Sequence, residues 1–281
     1  MTAPLSLAIS PCPNDTFAFH ALVHGLVAGA PPIDVTYADV DVTNTAALDG
    51  RFDLVKVSYA ALPWLLDRYA LLPCGGALGR GCGPLLLVKD SLVSGSDEAD
   101  LRGKTVAVPG DRTTAYLLFR LWAERAPERA PGDIVVVPFE KIMPGVADGT
   151  YDAGLVIHEA RFTYQRHGLH ALVDLGEWWE ADTGLPIPLG AILARRGAVD
   201  PTAASGWIRE SVRQAWADPT ASREYVLRHA QEMEPDVVDQ HIGLYVNGFT
   251  EDLGDEGYAA VDALLGRAAA AGLTPAVPAL A

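Results

Sequence analysis

The amino-acid sequence predicts an α/β protein with two lobes of similar plan. Short β-rich segments alternate with amphipathic helical segments through the first two thirds of the chain, a pattern typical of sheets covered by helices. The segment Asp49–Asp53 recurs as Asp148–Asp152, and each copy ends a helical segment and precedes an apolar run. Chance repetition of a common helix-to-strand turn is the alternative explanation. After Pro201 helical periodicity dominates and strand signals vanish.

The order of elements follows from this alternation. Strands are expected at Leu5–Ile9, Ile33–Tyr37, Leu54–Val57, Leu85–Val88, Thr105–Val108, Ile134–Pro138 and Gly154–Ile157. Helices are expected at Phe17–Leu26, Thr43–Leu48, Tyr59–Leu66, Thr113–Arg125 and Ile142–Asp148, then over Thr202–Arg228, Asp236–Val246 and Gly257–Ala271. We therefore expect mostly parallel sheets, with residues 1–90 and 190–281 in lobe I and residues 91–189 in lobe II.

Composition excludes several classes of partner. The 281 residues include 36 acidic and 21 basic side chains, a net charge of −15, which counts against nucleic acid and anionic membrane surfaces. No apolar run approaches the roughly 20 residues that span a bilayer. Cys12, Cys74 and Cys82 form no disulfide or zinc pattern. With an N-terminus unlike a signal peptide, these features predict a cytoplasmic protein.

The first candidate site segment is Ser10–Phe17, directly after the first expected strand. Its two prolines stiffen the backbone, while Asn14 and Asp15 are residues that commonly cap helices. Capping alone does not require this whole polar segment, and ligands of open α/β sheets bind at the carboxyl ends of strands. We expect Asn14 and Asp15 to bind the ligand.

The second candidate segment is Pro109–Ala115, between an expected strand and a long helix. Thr113 or Thr114 would cap the helix, and the free N–H groups at its start favour an anion such as a carboxylate. The segment matches neither of the usual glycine-rich nucleotide motifs. Capping and carboxylate binding are both open interpretations of the two threonines.

The third candidate is His158, which ends an apolar strand just as Ser58 does in the first copy of the repeat. An imidazole with an ordinary pKa near 6.5 suits a general base, and Glu159 or Arg161 could orient it. His20 and His24 have a spacing that could bind a metal, but no third ligand accompanies them. We expect no metal site.

Six segments together resemble one family. They are Ser10–Phe17, Lys56–Tyr59, Gly75–Arg80, Pro109–Tyr116, Ile157–Tyr164 and Pro188–Ile192. In this order they are similar to the signature blocks of the 1,4-dihydroxy-6-naphthoate synthase family of the futalosine route to menaquinone. The resemblance implies a type II periplasmic-binding-protein-like fold with a central interlobe cleft. It also implies conversion of cyclic dehypoxanthinyl futalosine to 1,4-dihydroxy-6-naphthoate with release of dihydroxyacetone, without a cofactor.

The resemblance also implies roles for individual residues. His158 matches the family's catalytic base, and the substrate contacts match Lys56, Val57, Ser58, Thr113, Thr114 and Ala115. The expected partner is thus a small aromatic carboxylate, with Lys56 the next candidate base. Two alternatives are a chorismate dehydratase of the same pathway and a solute-binding protein without catalysis. The segments Ser10–Thr16 and Ile157–Arg161 count against the first, and the missing signal-like segment counts against the second.

Overall fold

Two separate β-sheets form the framework of the protein, which is described by a computed structural model over residues 3–89, 100–158, 160–230 and 234–280. The strands are β1 (Leu5–Ile9), β2 (Ile33–Tyr37), β3 (Leu54–Ser58), β4 (Tyr69–Leu71), β5 (Ala77–Gly79), β6 (Leu85–Lys89), β7 (Thr105–Val108), β8 (Asp133–Val136), β9 (Ala153–Val156), β10 (Leu169–Asp174) and β11 (Ile187–Arg195). The first sheet has the order β2-β1-β3-β11-β4, with β5 also on β11, and the second has the order β10-β6-β9-β7-β8.

Helices connect and cover these strands. They are α1 (Pro13–Val23), α2 (Val40–Leu48), α3 (Thr114–Ala123), α4 (Phe139–Asp148), α5 (Ala160–Thr163), α6 (Leu175–Thr183), α7 (Pro201–Ala217), α8 (Arg223–His229), α9 (Pro235–Tyr245), α10 (Gly248–Glu251) and α11 (Gly254–Ala270). Residues Tyr59–Trp64, expected as part of an α-helix, form a 3₁₀ helix with Pro63 inside it. Within the described residues no helix is both long and apolar enough to span a bilayer.

Both sheets are mixed, so the expectation of mostly parallel sheets was wrong. β1 runs parallel to β2 and β3, and β7 runs parallel to β8 and β9. β11, however, is antiparallel to its three neighbours, and β6 is antiparallel to β9 and β10. These antiparallel strands carry the chain between the two sheets, because β6 enters the second sheet and β11 returns to the first.

The passage between the sheets lies earlier than the expected boundary at residues 90–91, which itself falls outside the described residues. Although lobe I was expected to include residues up to 90, β6 pairs over Leu85–Val88 with Ala153–Val156 of the second sheet. On the return, β11 already pairs with β5 at Ile187, slightly before the expected position 190. The glycine-rich segment ahead of β6 therefore carries the crossing.

The repeated pentapeptide makes equivalent connections in the two sheets. α2 ends before Gly50 and α4 ends before Gly149, and both glycines have positive φ angles, 67° and 85°. The last residue of each copy then binds the neighbouring parallel strand: Asp53 Oδ2 accepts from Ser6 N, and Asp152 Oδ2 accepts from Thr105 N, both at 2.9 Å. The two copies thus deliver β3 and β9 to the same position beside β1 and β7.

The C-terminal helices cover the first sheet and bury the start of α1. α7, α8 and α9 all pack against α1, and α11 packs against β11. As a result the polar residues Asn14, Asp15 and Thr16 are buried, with exposed fractions of 7%, 1% and 0%. Buried polar groups need partners. The partners of Asp15 are Ser10, Asn14 and Lys56, which line the cavity between the sheets.

Candidate active site

A cavity that opens to solvent lies between the two sheets, and its empty space is about 670 Å³ when the open solvent at its mouth is included. Its polar wall combines residues of both lobes: Ser10, Asn14, Thr43, Lys56, Ser58, Thr113, Thr114 and His158. The remaining wall is mostly apolar and includes Val40, Ala77, Cys82, Pro84, Ala115, Ile157, Leu189, Gly190 and Tyr245. A mostly hydrophobic ligand with a few polar groups would match this lining.

A buried ion pair joins α1 to β3 at the wall of the cavity. Lys56 Nζ contacts Asp15 Oδ1, and the two side chains are 9% and 1% exposed. Asp15 also accepts from Ser10 N at 3.0 Å, from Ser10 Oγ at 2.6 Å and from Asn14 Nδ2 at 2.9 Å. Its carboxylate is thus held as an acceptor of four bonds, which balances the ammonium charge of Lys56 in a poorly solvated place.

The Lys56 side chain reaches the cavity because its neighbour on β11 is a glycine. Gly190 pairs with Ser58 in the antiparallel ladder. A methyl group added at Gly190 would come within 2.9 Å of Lys56 Cε. The sequence block around Pro188 therefore contributes by leaving room for the lysine stem.

Ser58, at the carboxyl end of β3, offers a hydroxyl hydrogen to the cavity. Its backbone N donates to Asn44 Oδ1 at 2.8 Å, and Asn44 Nδ2 donates to Ser58 Oγ at 3.2 Å. The same Nδ2 lies 3.3 Å from the carbonyl oxygen of Arg112, in the loop before α3. Over the described chain the Ser58 hydroxyl hydrogen has no protein acceptor, so it is available to a ligand.

The N-terminus of α3 faces the cavity with backbone donors rather than hydroxyls. Thr113 is the N-cap: its Oγ1 accepts from Tyr116 N at 3.2 Å and donates to Gly110 O at 2.9 Å. Thr114 Oγ1 donates to Leu189 O at 2.8 Å and accepts from Ala60 N at 3.2 Å. In the described part of the chain the N–H groups of Thr114 and Ala115 have no protein acceptor. An anion is favoured there.

Thr114 is therefore a bridge between the lobes as well as a wall of the cavity. It belongs to the helix that packs on the second sheet, yet both of its hydroxyl partners belong to the first lobe: Ala60 follows β3 and Leu189 lies in β11. The expectation that its hydroxyl binds a carboxylate does not fit these contacts, because the hydroxyl hydrogen is already donated.

His158 follows β9 in a backbone conformation that few side chains adopt. Its φ angle is 55°, the one positive value among the described non-glycine residues. Such conformations cost energy and recur at functional sites. The ring packs edge-on against Phe139, with centroids 5.7 Å apart, and lies 6.4 Å from the ring of His241. The turn aims the imidazole at the cavity and holds it there.

The surroundings of His158 keep its ring neutral at physiological pH. Burial and, to a smaller extent, the Lys56 charge lower its pKa, Asp15 acts in the opposite direction, and the net pKa is about 4. The ordinary value near 6.5 that we expected from the sequence is therefore replaced by a lower one. A neutral imidazole can accept a proton, although one with this pKa is a weaker base.

Two of the expected site residues do not reach the cavity wall. Val57 lies between Lys56 and Ser58 on β3, so its side chain points to the opposite face and into the hydrophobic core. Asp15 stands behind Lys56 and binds it. Nor do Asn14 and Asp15 cap α1, because that helix begins at Pro13 with Cys12 as the N-cap.

The residues near His158 also differ from expectation. Glu159 lies outside the described residues. Arg161 forms an ion pair with Asp174 and donates to Gly83 O at 2.8 Å, so it fixes the loop that leads to Pro84. Burial raises the pKa of the Cys82 thiol in the cavity wall to about 12, which makes it unreactive.

Three residues of the site carried no motif in the sequence. Asn44 connects Ser58 with the Arg112 loop. His241 and Tyr245 lie on α9, one helical turn apart, with ring centroids separated by 4.6 Å. The i, i+4 spacing places them on one face of the helix. Nothing local indicates that this face meets α1.

A second groove opens beside the cavity and shares Val40, Ile157 and His158 with it. Burial raises the pKa of Asp39 and of Asp41 in its wall, with Glu140 acting on Asp39 and Asp111 on Asp41 as further causes. A methyl group at Gly110 would overlap the Asp41 carboxylate, so the walls of the two lobes touch at this mouth. No group of three His, Cys, Asp or Glu within the described ranges is arranged to hold a metal ion.

Two sheets joined by crossing strands around a buried cavity define the class of protein: the fold is that of the periplasmic binding proteins. The alkanesulfonate-binding protein of Xanthomonas axonopodis has this fold, with a TM-score of 0.73 at 17% identity over 98% of this chain and 95% of its own. A structure from Archaeoglobus fulgidus is nearer, with a TM-score of 0.87 and 32% identity over 96% of this chain and 98% of its own.

Within that class the chain belongs to the menaquinone biosynthesis family, whose model matches residues 5–270. It is 64% identical to the 1,4-dihydroxy-6-naphtoate synthase of Streptomyces coelicolor over 97% of this chain and 95% of that protein. It is 47% identical to the synthase of the same name from Thermus thermophilus, over 98% and 97% of the two chains. The resemblance noted in the sequence is thereby confirmed, and the chain is placed among enzymes of menaquinone biosynthesis.

Proposed function

We propose that this protein is a carbon–carbon lyase that converts cyclic dehypoxanthinyl futalosine to 1,4-dihydroxy-6-naphthoate and dihydroxyacetone, with His158 as general base. The observation that carries the proposal is the neutral imidazole of His158, which lines the same cavity as the Lys56 ammonium and the α3 N-terminus. The names of the two synthases at 64% and 47% identity support 1,4-dihydroxy-6-naphthoate as the product.

The proposed reaction is a fragmentation that needs one proton acceptor. His158 takes the proton of a substrate hydroxyl, and the electron pair of that O–H bond forms the new carbonyl of dihydroxyacetone. The adjacent C–C bond breaks, and its electrons move to the ring carbonyl, where they leave an oxyanion of the newly aromatic ring. The proton held on His158 then neutralises the product. No oxidant or reductant enters this balance, so a redox cofactor is not required.

Lys56 has a separate task in this proposal. Its ammonium is the cationic group of the described cavity wall, and it lies near enough to His158 to lower the pKa of that ring. A fixed positive charge stabilises an oxyanion more effectively in a site from which water is excluded. We assign Lys56 to the oxyanion that forms on the ring, while Asp15 holds the lysine in place.

The substrate carboxylate is assigned to donors from both lobes. The N–H groups of Thr114 and Ala115 lie at the N-terminus of α3, and the Ser58 hydroxyl approaches from β3 with its hydrogen free. Backbone dipoles and a hydroxyl bind an anion without a full positive charge nearby. An arylcarboxylate held there would place its ring against the apolar wall.

One assay separates this proposal from its alternatives. The purified protein is incubated separately with cyclic dehypoxanthinyl futalosine and with chorismate, and products are identified by mass spectrometry. We expect 1,4-dihydroxy-6-naphthoate and an equal amount of dihydroxyacetone from the first substrate only. Turnover of chorismate instead would indicate the dehydratase, and tight binding of either compound without turnover would indicate a solute-binding protein.

A further inference from the structure

His241 is a buried titratable residue that the proposed reaction does not use. Its side chain is completely shielded from solvent. It belongs to α9, which comes after the other residues of the site in the sequence. Its Nε2 lies 3.0 Å from Asn14 Oδ1, while its Nδ1 is buried with no hydrogen-bond partner in the described part of the chain. One ring nitrogen is thus engaged with a residue of the cavity wall and the other is not.

The hydrogen bonds of Asp15 determine which residue is the donor in the contact between His241 and Asn14. The Asp15 carboxylate pairs with Lys56 and is an acceptor, so the Asn14 atom 2.9 Å from its Oδ1 must be the amide nitrogen. Asn14 therefore presents its carbonyl oxygen to His241. Because a carbonyl oxygen only accepts, His241 must carry its proton on Nε2, and Nδ1 keeps a bare lone pair.

These hydrogen bonds leave one N–H hydrogen of the Asn14 amide without a partner within the described residues. Its Nδ2 has two hydrogens, of which one is donated to Asp15, and its Oδ1 accepts from His241. Asn14 lines the cavity and is 7% exposed. The remaining Nδ2 hydrogen has no acceptor within the described residues, so it is the polar group that Asn14 can offer to a ligand.

We propose that His241 is a positioning residue, which fixes the Asn14 amide so that its second Nδ2 hydrogen is donated to an oxygen atom of the substrate. This inference rests on the proposed function for the identity of that substrate. Without the His241 donor, the Asn14 carbonyl oxygen would be buried without a partner, and the amide would be free to rotate away from the cavity. His241 touches no reacting atom and acts through Asn14.

A double-mutant cycle tests whether His241 acts through Asn14. His241→Phe preserves a ring against Tyr245 and Phe162 but removes the donor, and His241→Gln keeps an amide N–H near the Nε2 position. With cyclic dehypoxanthinyl futalosine, we expect His241→Phe to lower kcat/KM about tenfold, the usual effect of one lost hydrogen bond, and His241→Gln to recover most of it. In an Asn14→Ala background His241→Phe should cause no further loss.

The matched control is His229→Phe. His229 also packs among aromatic rings, 4.4 Å from Tyr37 and 4.6 Å from Tyr225 between centroids, and it does not line the cavity. We expect its kcat/KM to stay within twofold of the wild-type value. A tenfold loss from His241→Phe that persists in the Asn14→Ala background would overturn the inference, as would a His241→Phe enzyme with unchanged kcat/KM.

A measurement on the unmodified protein covers the case in which His241→Phe does not fold. Histidine side chains are labelled with ¹⁵N, and the His241 signal is assigned by its absence in His241→Gln. We expect a neutral ring with the proton on Nε2 between pH 6 and 8. A proton on Nδ1 would overturn the inference. If the wild-type protein does not convert the substrate at all, the proposed function fails while the tautomer result still decides the contact with Asn14.

Discussion

At the scale of single residues, the site is a set of buried polar groups that form hydrogen bonds or an ion pair with one another. Lys56, Asp15, Asn14 and His241 form one continuous chain of contacts from β3 through α1 to α9. Each residue restricts the orientation or the protonation of the next. The Asp15 carboxylate balances the Lys56 ammonium and orients the Asn14 amide, and the Asn14 carbonyl oxygen requires the His241 proton to be on Nε2. Such a network is rigid when complete and costly when one member is lost.

The ion pair gives a prediction about stability and activity together. Lys56→Met removes the ammonium and leaves the Asp15 carboxylate buried without its counter-charge, so we expect the free energy of unfolding to fall by about 3–5 kcal/mol. Adding Asp15→Asn should restore most of that stability, because no unpaired charge remains. Denaturant unfolding measures both variants.

Activity separates the two roles of Lys56. The double variant should remain at least 100-fold below the wild-type kcat, since the charge assigned to the oxyanion is absent. Recovery of activity along with stability would contradict that assignment and make Lys56 a purely structural residue.

The lowered pKa of His158 predicts a shifted pH profile. Protonation of a base with a pKa of about 4 abolishes its function only in acid, so kcat/KM should decline as the pH falls toward 4 rather than through 6.5. The profile is measured from pH 3.5 to 9 with buffers of constant ionic strength. The contrary result is a loss of kcat/KM centred near pH 6.5 that disappears when His158 alone is substituted. It would show that the His158 ring is solvated like a free histidine.

At the scale of secondary structure, the Thr114 side chain of α3 forms hydrogen bonds that link the two lobes. Thr114 donates to Leu189 O and accepts from Ala60 N, so Thr114→Val leaves a partly buried carbonyl oxygen and a buried N–H without this partner. We expect a loss of about 1–3 kcal/mol in the free energy of unfolding. The control Thr113→Ala, which removes the cap of α3 and the hydrogen bond to Gly110 O but no hydroxyl contact with the other lobe, should cost about 1 kcal/mol.

Ligand binding by the same variants tests the assignment of the carboxylate to backbone donors. Thr114→Val keeps the N–H groups of Thr114 and Ala115, so the Kd for 1,4-dihydroxy-6-naphthoate, measured by fluorescence titration at fixed salt, should change less than fivefold after correction for the fraction folded. If Thr114→Val instead binds the product about 100-fold more weakly with an unchanged unfolding midpoint, the Thr114 hydroxyl itself binds the carboxylate.

Helices and strands with a clear period were predictable from sequence, and those set by distant partners were not. β1, β2 and β7 lie at their expected positions, because each is a short apolar run between turn signals. β4 and β5 have three residues each, too few to show a period, and β11 contains Pro188. Proline usually argues against a central strand, but here the ladder register shifts between Pro188 and Gly190.

The site itself divides in the same way. Ser58, His158 and the start of α3 were predictable because they follow strands, and strand ends meet at one edge of a sheet. Asn44 and His241 were not, since their roles depend on which helix packs against which. Asn14 and His241 are 227 positions apart in the sequence, and no local pattern indicates their contact.

At the scale of the whole molecule, two histidines with lowered pKa values couple stability to pH. Burial lowers the pKa of His158 to about 4 and also lowers the pKa of His241. Between about pH 6.5 and 4 the unfolded chain therefore binds protons at these positions that the folded protein does not, so stability falls as the pH decreases. The raised pKa values of Asp39 and Asp41 act in the opposite sense, since those carboxyls gain protons more readily when folded.

The contribution of His158 to this pH dependence is tested by comparing the wild-type protein with a His158 variant. We expect the unfolding midpoint Tm of the wild-type protein to fall from pH 7 to pH 4.5, and His158→Asn to show a smaller fall because one of the two histidines no longer titrates. Differential scanning calorimetry of both proteins at each pH measures the slopes. Equal slopes would mean that His158 is equally easy to protonate in the folded and unfolded chain.

His158→Asn shows whether His158 removes the substrate proton. Asparagine keeps polarity and approximate size and also tolerates a positive φ angle, but it cannot accept a proton at neutral pH. The decisive measurement is kcat with cyclic dehypoxanthinyl futalosine, alongside the Kd for 1,4-dihydroxy-6-naphthoate. We expect a kcat lowered by about 10²–10⁴ with a Kd within threefold of the wild-type value. A His158→Asn enzyme that turns over at close to the wild-type rate would mean that another group removes the proton.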